Sequence, residues 1–144
     1  LLLRIPNLHV VEPGCNEEMR QILRAAVETP GPFYIRIVRC EVEDNEIGPD
    51  YTFKLGKGVT VSNTGSDIGL VSTGYMIKTA KIAAEKLNQK GYGVRLDHHP
   101  SLKPFDNDLL CDMASNVPAI VTLENHCVSG GLFSLVAETL EAIS

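Results

Sequence analysis

The chain has 144 residues, of which 44% are hydrophobic and 22% charged, with a formal charge of −5. That length and balance suit a water-soluble globular chain with one core, or one domain and part of another. The negative charge argues against nucleic acid or an anionic membrane as partner, and no apolar run approaches the ~20 residues that a bilayer span needs.

Leu1-Leu2-Leu3 is followed at once by Arg4 and Pro6, which does not fit a signal peptide. There is no starting methionine, and the chain reads as a section truncated at its N-terminus. Four cysteines (Cys15, Cys40, Cys111 and Cys127) stand far apart without a C-x-x-C pair. Reduced thiols in a cytoplasmic protein are the plain reading.

"LHVV" (8–11) is a short strand. Asn16 is placed to cap a helix whose first turn carries Glu17 and Glu18, favourable at the positive end of the helix dipole. Met19, Ile22, Leu23, Ala26 and Val27 then recur at helical spacing until Pro30-Gly31-Pro32. "FYIRIV" (33–38) follows as a strand, completing a β-α-β unit. "EVEDNEIGPD" (41–50) is acidic and turn-rich and reads as a linker.

Beyond it, "KGVTVS" and "DIGLVS" flank Asn63-Thr64-Gly65-Ser66, a hairpin pattern. Thr73-Gly74 opens a long helix, with Gly91 as its C-terminal stop. "GVRLDH" is a strand, "DNDLLCDMASN" a helix capped by Asp106, and "AIVTLE" a buried strand. The last helix shows Leu132, Leu135, Val136, Leu140 and Ile143 along one stripe. This alternation predicts an α/β fold: a mostly parallel sheet with one antiparallel edge strand and helices on both faces, preceded by a β-α-β remnant.

Function in such sheets sits at the carboxyl ends of the strands. His98-His99 and the run Glu124-Asn125-His126-Cys127 fall there. Adjacent histidines in an extended segment point to opposite faces, and zinc-ligand spacing is missing. A Cys127–His126 nucleophile pair lacks an orienting third group, so a polar loop with a buried cysteine is the favoured reading. Gly130-Gly131 before the last helix can receive an anion or allow close packing, and paired glycines alone favour packing. Arg36 lies inside the strand at 33–38 and Arg39 at its carboxyl end. A guanidinium there can grip a phosphate or carboxylate, or it can pair with the acidic residues from Glu41 to Asp44. The residue types leave both readings open.

Together, "IPNLHVVEPGCNEEMRQILRAAVETPGPFYIRIVR", "KLGKGVTV", "GSDIGLVSTGYMIKTAKIAAEKL", "SLKPFD" and "VTLENHCVSGGLFSLVAETL" resemble transketolase. The likeness is strongest to the C-terminal section of split, two-subunit transketolases. It extends to 1-deoxyxylulose-5-phosphate synthases and to the β subunits of 2-oxoacid dehydrogenases. It covers essentially the whole chain, in order.

The resemblance implies that residues 1–45 are the C-terminal tail of a pyrimidine-binding domain and residues 46–144 the transketolase C-terminal domain. It implies an enzyme that uses thiamine diphosphate and Mg²⁺ to transfer a two-carbon ketol unit between sugar phosphates. The catalytic glutamate would lie before this stretch and the diphosphate site on another domain, so no catalytic, cofactor-binding or metal residue is expected here. The partners implied are a second copy, giving a dimer, and an N-terminal section or subunit carrying the diphosphate site. The segment matching Glu124 to Gly131 is structural in the family. Arg39 matches an arginine that contacts the substrate's phosphate, although Val38-Arg39-Cys40 departs from the Ser-Arg or Pro-Arg-Gly of many relatives and leaves the sugar open. The alternatives are a 2-oxoacid dehydrogenase β subunit, a deoxyxylulose-phosphate synthase, or a non-catalytic assembly or regulatory domain.

Overall fold

The computed structural model describes residues 2–39 and 41–142. Cys40 and Ile143, named above, lie outside the described residues. The elements are β1 (His9–Val11), α1 (Asn16–Glu28), β2 (Phe33–Ile35), β3 (Val59–Asn63), β4 (Ile68–Ser72), α2 (Met76–Gln89), β5 (Val94–His98), β6 (Ser101–Lys103), α3 (Asn107–Asn116), β7 (Ile120–Leu123) and α4 (Leu132–Glu141). A short 3-10 turn, Leu2–Arg4, precedes them.

They form two sheets, of order β2-β1-β6 and β3-β5-β4-β7. In the larger one, β4 runs parallel to both β5 and β7, while β3 is antiparallel to β5. The α/β fold with one antiparallel edge strand on the main sheet is therefore as expected. The hairpin is not. β3 and β4 are consecutive but have β5 between them, because the turn after β3 wraps the start of β5. Thr64 N–H donates to Val94 O at 2.9 Å and Asp67 N–H to Gly93 O at 2.9 Å. Gly65 and Gly93 meet there so closely that a Cβ on Gly65 would stand 2.7 Å from the Gly93 Cα. Two side chains could not share that corner.

Strand alternation sends Leu70 and Leu96 to one face, against Ile77, Ala80 and Ala84 of α2. Val71 points to the other face, into a core with Leu110 and Met113 of α3 and Leu132 and Val136 of α4. That second core also holds Val10 of β1 and Leu102 of β6. Residues 1–45 thus share a sheet and a core with the rest of the chain, through β6, a strand that residue patterning did not disclose. β7 forms one edge of its sheet and leaves Val121 45% exposed, so it is not the buried strand expected. On α4, Leu132 and Val136 are buried, Leu135 and Leu140 partly so, with Glu138 and Glu141 in solvent.

Local signals were read correctly at α3, where the Asp106 carboxylate accepts from Leu109 N–H. They misled at α1. The N-cap is Cys15, not Asn16. Asn16 instead donates its side-chain amide to Val42 O and to Asp44 Oδ1 at 3.3 and 3.2 Å. The linker's carbonyls of Glu43 and Asp44 take the first free N–H groups of the helix, from Asn16 and Glu17, at 3.2 and 2.9 Å. The buried face of α1 carries Glu18 and Ile22, whereas Leu23 and Val27 are 50% and 88% exposed. An interior partner for the Glu18 carboxylate outweighs the apolar stripe in setting that rotation.

Candidate functional site

The carboxyl ends of β1, β2 and β7 converge on a cluster of charged side chains. β2 ends at Ile35, three residues short of the expected strand, so Arg36 stands at a strand end rather than inside it. Its backbone N–H still bonds Val11 O at 2.9 Å. One guanidinium nitrogen of Arg36 pairs with Glu12, which follows β1, and another donates to the carbonyl of Asn125, which follows β7. Both are close contacts. Glu12 is almost wholly enclosed, and burial raises its carboxyl above the usual range although Arg36 pulls the other way.

Glu124 completes the cluster. Its two oxygens accept from Leu132 N–H at 2.7 Å and Phe133 N–H at 2.9 Å, the first free donors of α4. An anion already occupies this helix N-terminus, and it is the chain's own carboxylate. Gly131 is needed for it: a Cβ there would overlap Glu124 Oε2. Close packing is therefore what Gly131 provides. The cluster closes one side of a cavity of about 310 Å³ whose other walls include Leu2, Leu3, Val10 and Leu102.

His98, the last residue of β5, and His99, which follows it, point to opposite sides of the sheet, as adjacent residues in extended chain do. His98 Nε2 lies 3.1 Å from Glu18 Oε2, and its Nδ1 3.3 Å from Ser72 Oγ. A carboxylate offers only lone pairs, so Nε2 donates. Glu18 also accepts from the Tyr51 hydroxyl and from Gly14 N–H, both at 2.6 Å. Burial and then Glu18 push the Tyr51 phenol up, so it stays a donor. Glu18 and His98 are both fully enclosed; the first-turn reading of Glu18, as a group answering the helix dipole, missed this.

His99 stacks on Phe105, with ring centroids 4.6 Å apart, and neither ring nitrogen has a partner. Burial, with His98 nearby, pushes it down to about 4. The unfolded chain therefore binds a proton that the fold refuses between pH 6.5 and 4. The stabilisation is complete above pH 6.5 and is lost as pH falls. Denaturant melts at pH 7 and pH 5 should show the parent chain losing about 2 kcal/mol relative to His99→Phe. Parallel losses in the two proteins would remove His99 as the cause.

β4 stands between β5 and β7, so His98 and His99 do not meet His126 and Cys127. Cys127 is exposed, not buried as expected, and its N–H donates to the ring of His126. Among the described residues no group of three His, Cys, Asp or Glu side chains is placed to hold a metal ion.

Arg39 lies in an extended stretch after β2, exposed to solvent. Among the described residues it makes no hydrogen bond or ion pair. Of the acidic linker, its rival partner, Glu43 pairs with Lys78 at 2.7 Å and Asp44 reaches Arg20 at 3.9 Å, while Glu41 carries no ion pair among the described residues.

Residues 56–143 match the family described as "Transketolase, C-terminal domain". The chain belongs to the transketolase family. Over its whole length this transketolase section is 31% identical to one of the subunits of the apulose-4-phosphate transketolase of Phocaeicola vulgatus, covering 97% of the chain and 45% of that protein. It is 32% identical to the 1-deoxy-D-xylulose-5-phosphate synthase of Methylacidiphilum infernorum, covering 99% of the chain and 22% of that protein. The structure superposes on a split-gene transketolase, solved as an inactive β4 tetramer, with a TM-score of 0.90, 37% identity and coverage of 98% of this chain and 46% of that one. Transketolase from Pichia stipitis in complex with sedoheptulose 7-phosphate shares the fold at a TM-score of 0.68 and 22% identity, covering 88% of this chain and 19% of that one. The chain thus spans less than half the length of these relatives. No helix among the described residues is long and apolar enough to cross a membrane.

Proposed function

We propose that the chain is the C-terminal part of a thiamine-diphosphate-dependent transketolase that transfers a two-carbon ketol unit between sugar phosphates. The observation that carries this is the match to the split-gene transketolase chain, which runs through 98% of the residues, well beyond the matched domain at residues 56–143. On this reading residues 1–45 close a pyrimidine-binding domain, and the catalytic glutamate precedes them. The active assembly is a dimer that also contains an N-terminal section or subunit, and it resides in the cytoplasm. A deoxyxylulose-phosphate synthase is the second reading, favoured by 32% identity over 99% of the chain. Formation of 1-deoxy-D-xylulose 5-phosphate by the full assembly would select it.

Bound thiamine diphosphate, with Mg²⁺, supplies the chemistry that cleaves and carries the two-carbon unit. The described residues do not fit its diphosphate–metal end: the glycine-led N-terminus of α4 is filled by Glu124, and no metal-binding group of side chains is present among them. The task left to this section is binding and orientation. Arg39, exposed and unpaired, presents a five-donor fork to a substrate phosphate, and that remote contact holds the reacting carbonyl in place.

Calorimetry of the 144-residue chain with thiamine diphosphate and Mg²⁺ should give no saturable heat. Restoring the upstream part of the pyrimidine-binding domain together with the N-terminal section should restore both binding and ketol transfer. A low-micromolar response from the chain alone would overturn this division of labour.

A further inference from the structure

Between Arg36 and Val42, residues 37–39 and 41 carry no hydrogen bond or ion pair among the described residues. Among the described residues, the ties nearest to Arg39 are therefore those at the two ends of this span. One end is tied to α1, where Asn16 binds Val42 O and Asp44 Oδ1 and where the carbonyls of Glu43 and Asp44 receive the helix N–H groups. The other end is tied at Arg36, three residues before Arg39, by its backbone N–H to Val11 O at 2.9 Å and by its guanidinium. Three residues of extended chain reach no more than roughly 10 Å, so the place of Arg36 bounds where Arg39 can stand.

The hold on Arg36 comes from both parts of the chain. Glu12, on the N-terminal side, is enclosed and pressed by Gly74: at φ 57° that residue has no room for a side chain, since a Cβ would stand 2.5 Å from the Glu12 Cγ. Asn125 O, on the other side, follows Glu124, whose carboxylate is locked across the first N–H groups of α4 with Gly131 packed against it. The run 124–131 ties these groups together through Glu124 and Asn125. Its geometry is that of a clamp.

We propose that Arg36, held between Glu12 and the Glu124–Gly131 loop, is the positioning residue for Arg39 and thereby sets the affinity for phosphorylated substrates. This rests on the reading of Arg39 as a phosphate contact. Arg36→Lys keeps a charge for Glu12 but has no second arm for Asn125 O. Gly131→Ala displaces the Glu124 carboxylate and moves the loop from the far side. Both act on Arg39 through position alone.

The test is steady-state kinetics of the full-length assembly with a phosphorylated sugar and its unphosphorylated analogue. Arg36→Lys and Gly131→Ala should each raise KM for the phosphorylated sugar about ten-fold, with the loss in KM and not in kcat. Neither should add to the loss caused by Arg39→Ala when combined with it. Where Gly131→Ala does not accumulate as folded protein, Glu124→Gln, which keeps the volume and weakens the cap, takes its place. If Arg39→Ala destroys the preference for phosphate while Arg36→Lys and the loop variant stay within about two-fold of the parent, the clamp is wrong and the phosphate contact stands. Full additivity of Arg36→Lys with Arg39→Ala would equally overturn the clamp. If Arg39→Ala weakens both sugars alike, the phosphate reading itself falls.

Discussion

Arg39→Ala is expected to lower kcat/KM for phosphorylated sugars about ten- to a hundred-fold in the full-length assembly, the equivalent of a lost charge-assisted contact of ~1.5–3 kcal/mol. Unphosphorylated analogues should suffer much less. The expectation rests on two features. Arg39 is exposed, and its fork has no partner among the described residues, so its donors are free for a ligand. The guanidinium of Arg36, by contrast, is committed to Glu12 and Asn125 and cannot serve a substrate without releasing them. Arg39→Lys should recover only part of the loss, because an ammonium is a point charge and cannot make two parallel bonds to one phosphate. Equal losses for phosphorylated and unphosphorylated sugars would make Arg39 structural.

Glu18→Ala should cost about 3–5 kcal/mol of stability, the usual result of removing one member of a buried, hydrogen-bonded charged network. The carboxylate gathers Gly14 N–H, the Tyr51 hydroxyl and His98 Nε2. Its loss leaves three donors without their acceptor in the interior, and each such group carries a desolvation penalty of about 1–3 kcal/mol. Glu18→Gln should cost less, since the amide oxygen still accepts from part of the set. Chemical denaturation measures both. A change under about 1 kcal/mol for Glu18→Ala would mean that water or a rearranged His98 replaces the carboxylate. The prediction also concerns how the two parts of the chain hold together. Glu18 lies on α1 and His98 on β5, so this network and the β1–β6 pairing join residues 1–45 to the remainder.

The fold class was legible in residue order because its signals are local. A helical stripe marked α4, the carboxylate of Asp106 marked the start of α3, and Gly91 marked the stop after α2. Each of these depends on residues within a turn or a strand of one another. The placement of β3 beside β5 instead of β4 depends on a glycine pair 28 positions apart, Gly65 and Gly93. Residue patterns do not carry such a pairing. The same holds for Glu18 and His98, separated by 80 positions, and for Arg36 and Asn125, separated by 89.

Residue types also misplaced Arg36 for a physical reason. "FYIRIV" alternates as a strand throughout, yet the strand stops at Ile35 because the Arg36 side chain is drawn to Glu12 and the β7–α4 loop. Glu124, beside His126 and Cys127, was read as part of a structural loop, and its carboxylate caps α4. Composition and local periodicity established that the chain is an α/β section with a mixed sheet. Which charges meet was settled by long-range packing, because a charged group's partner is whichever one the fold brings within hydrogen-bond reach in a low-dielectric interior.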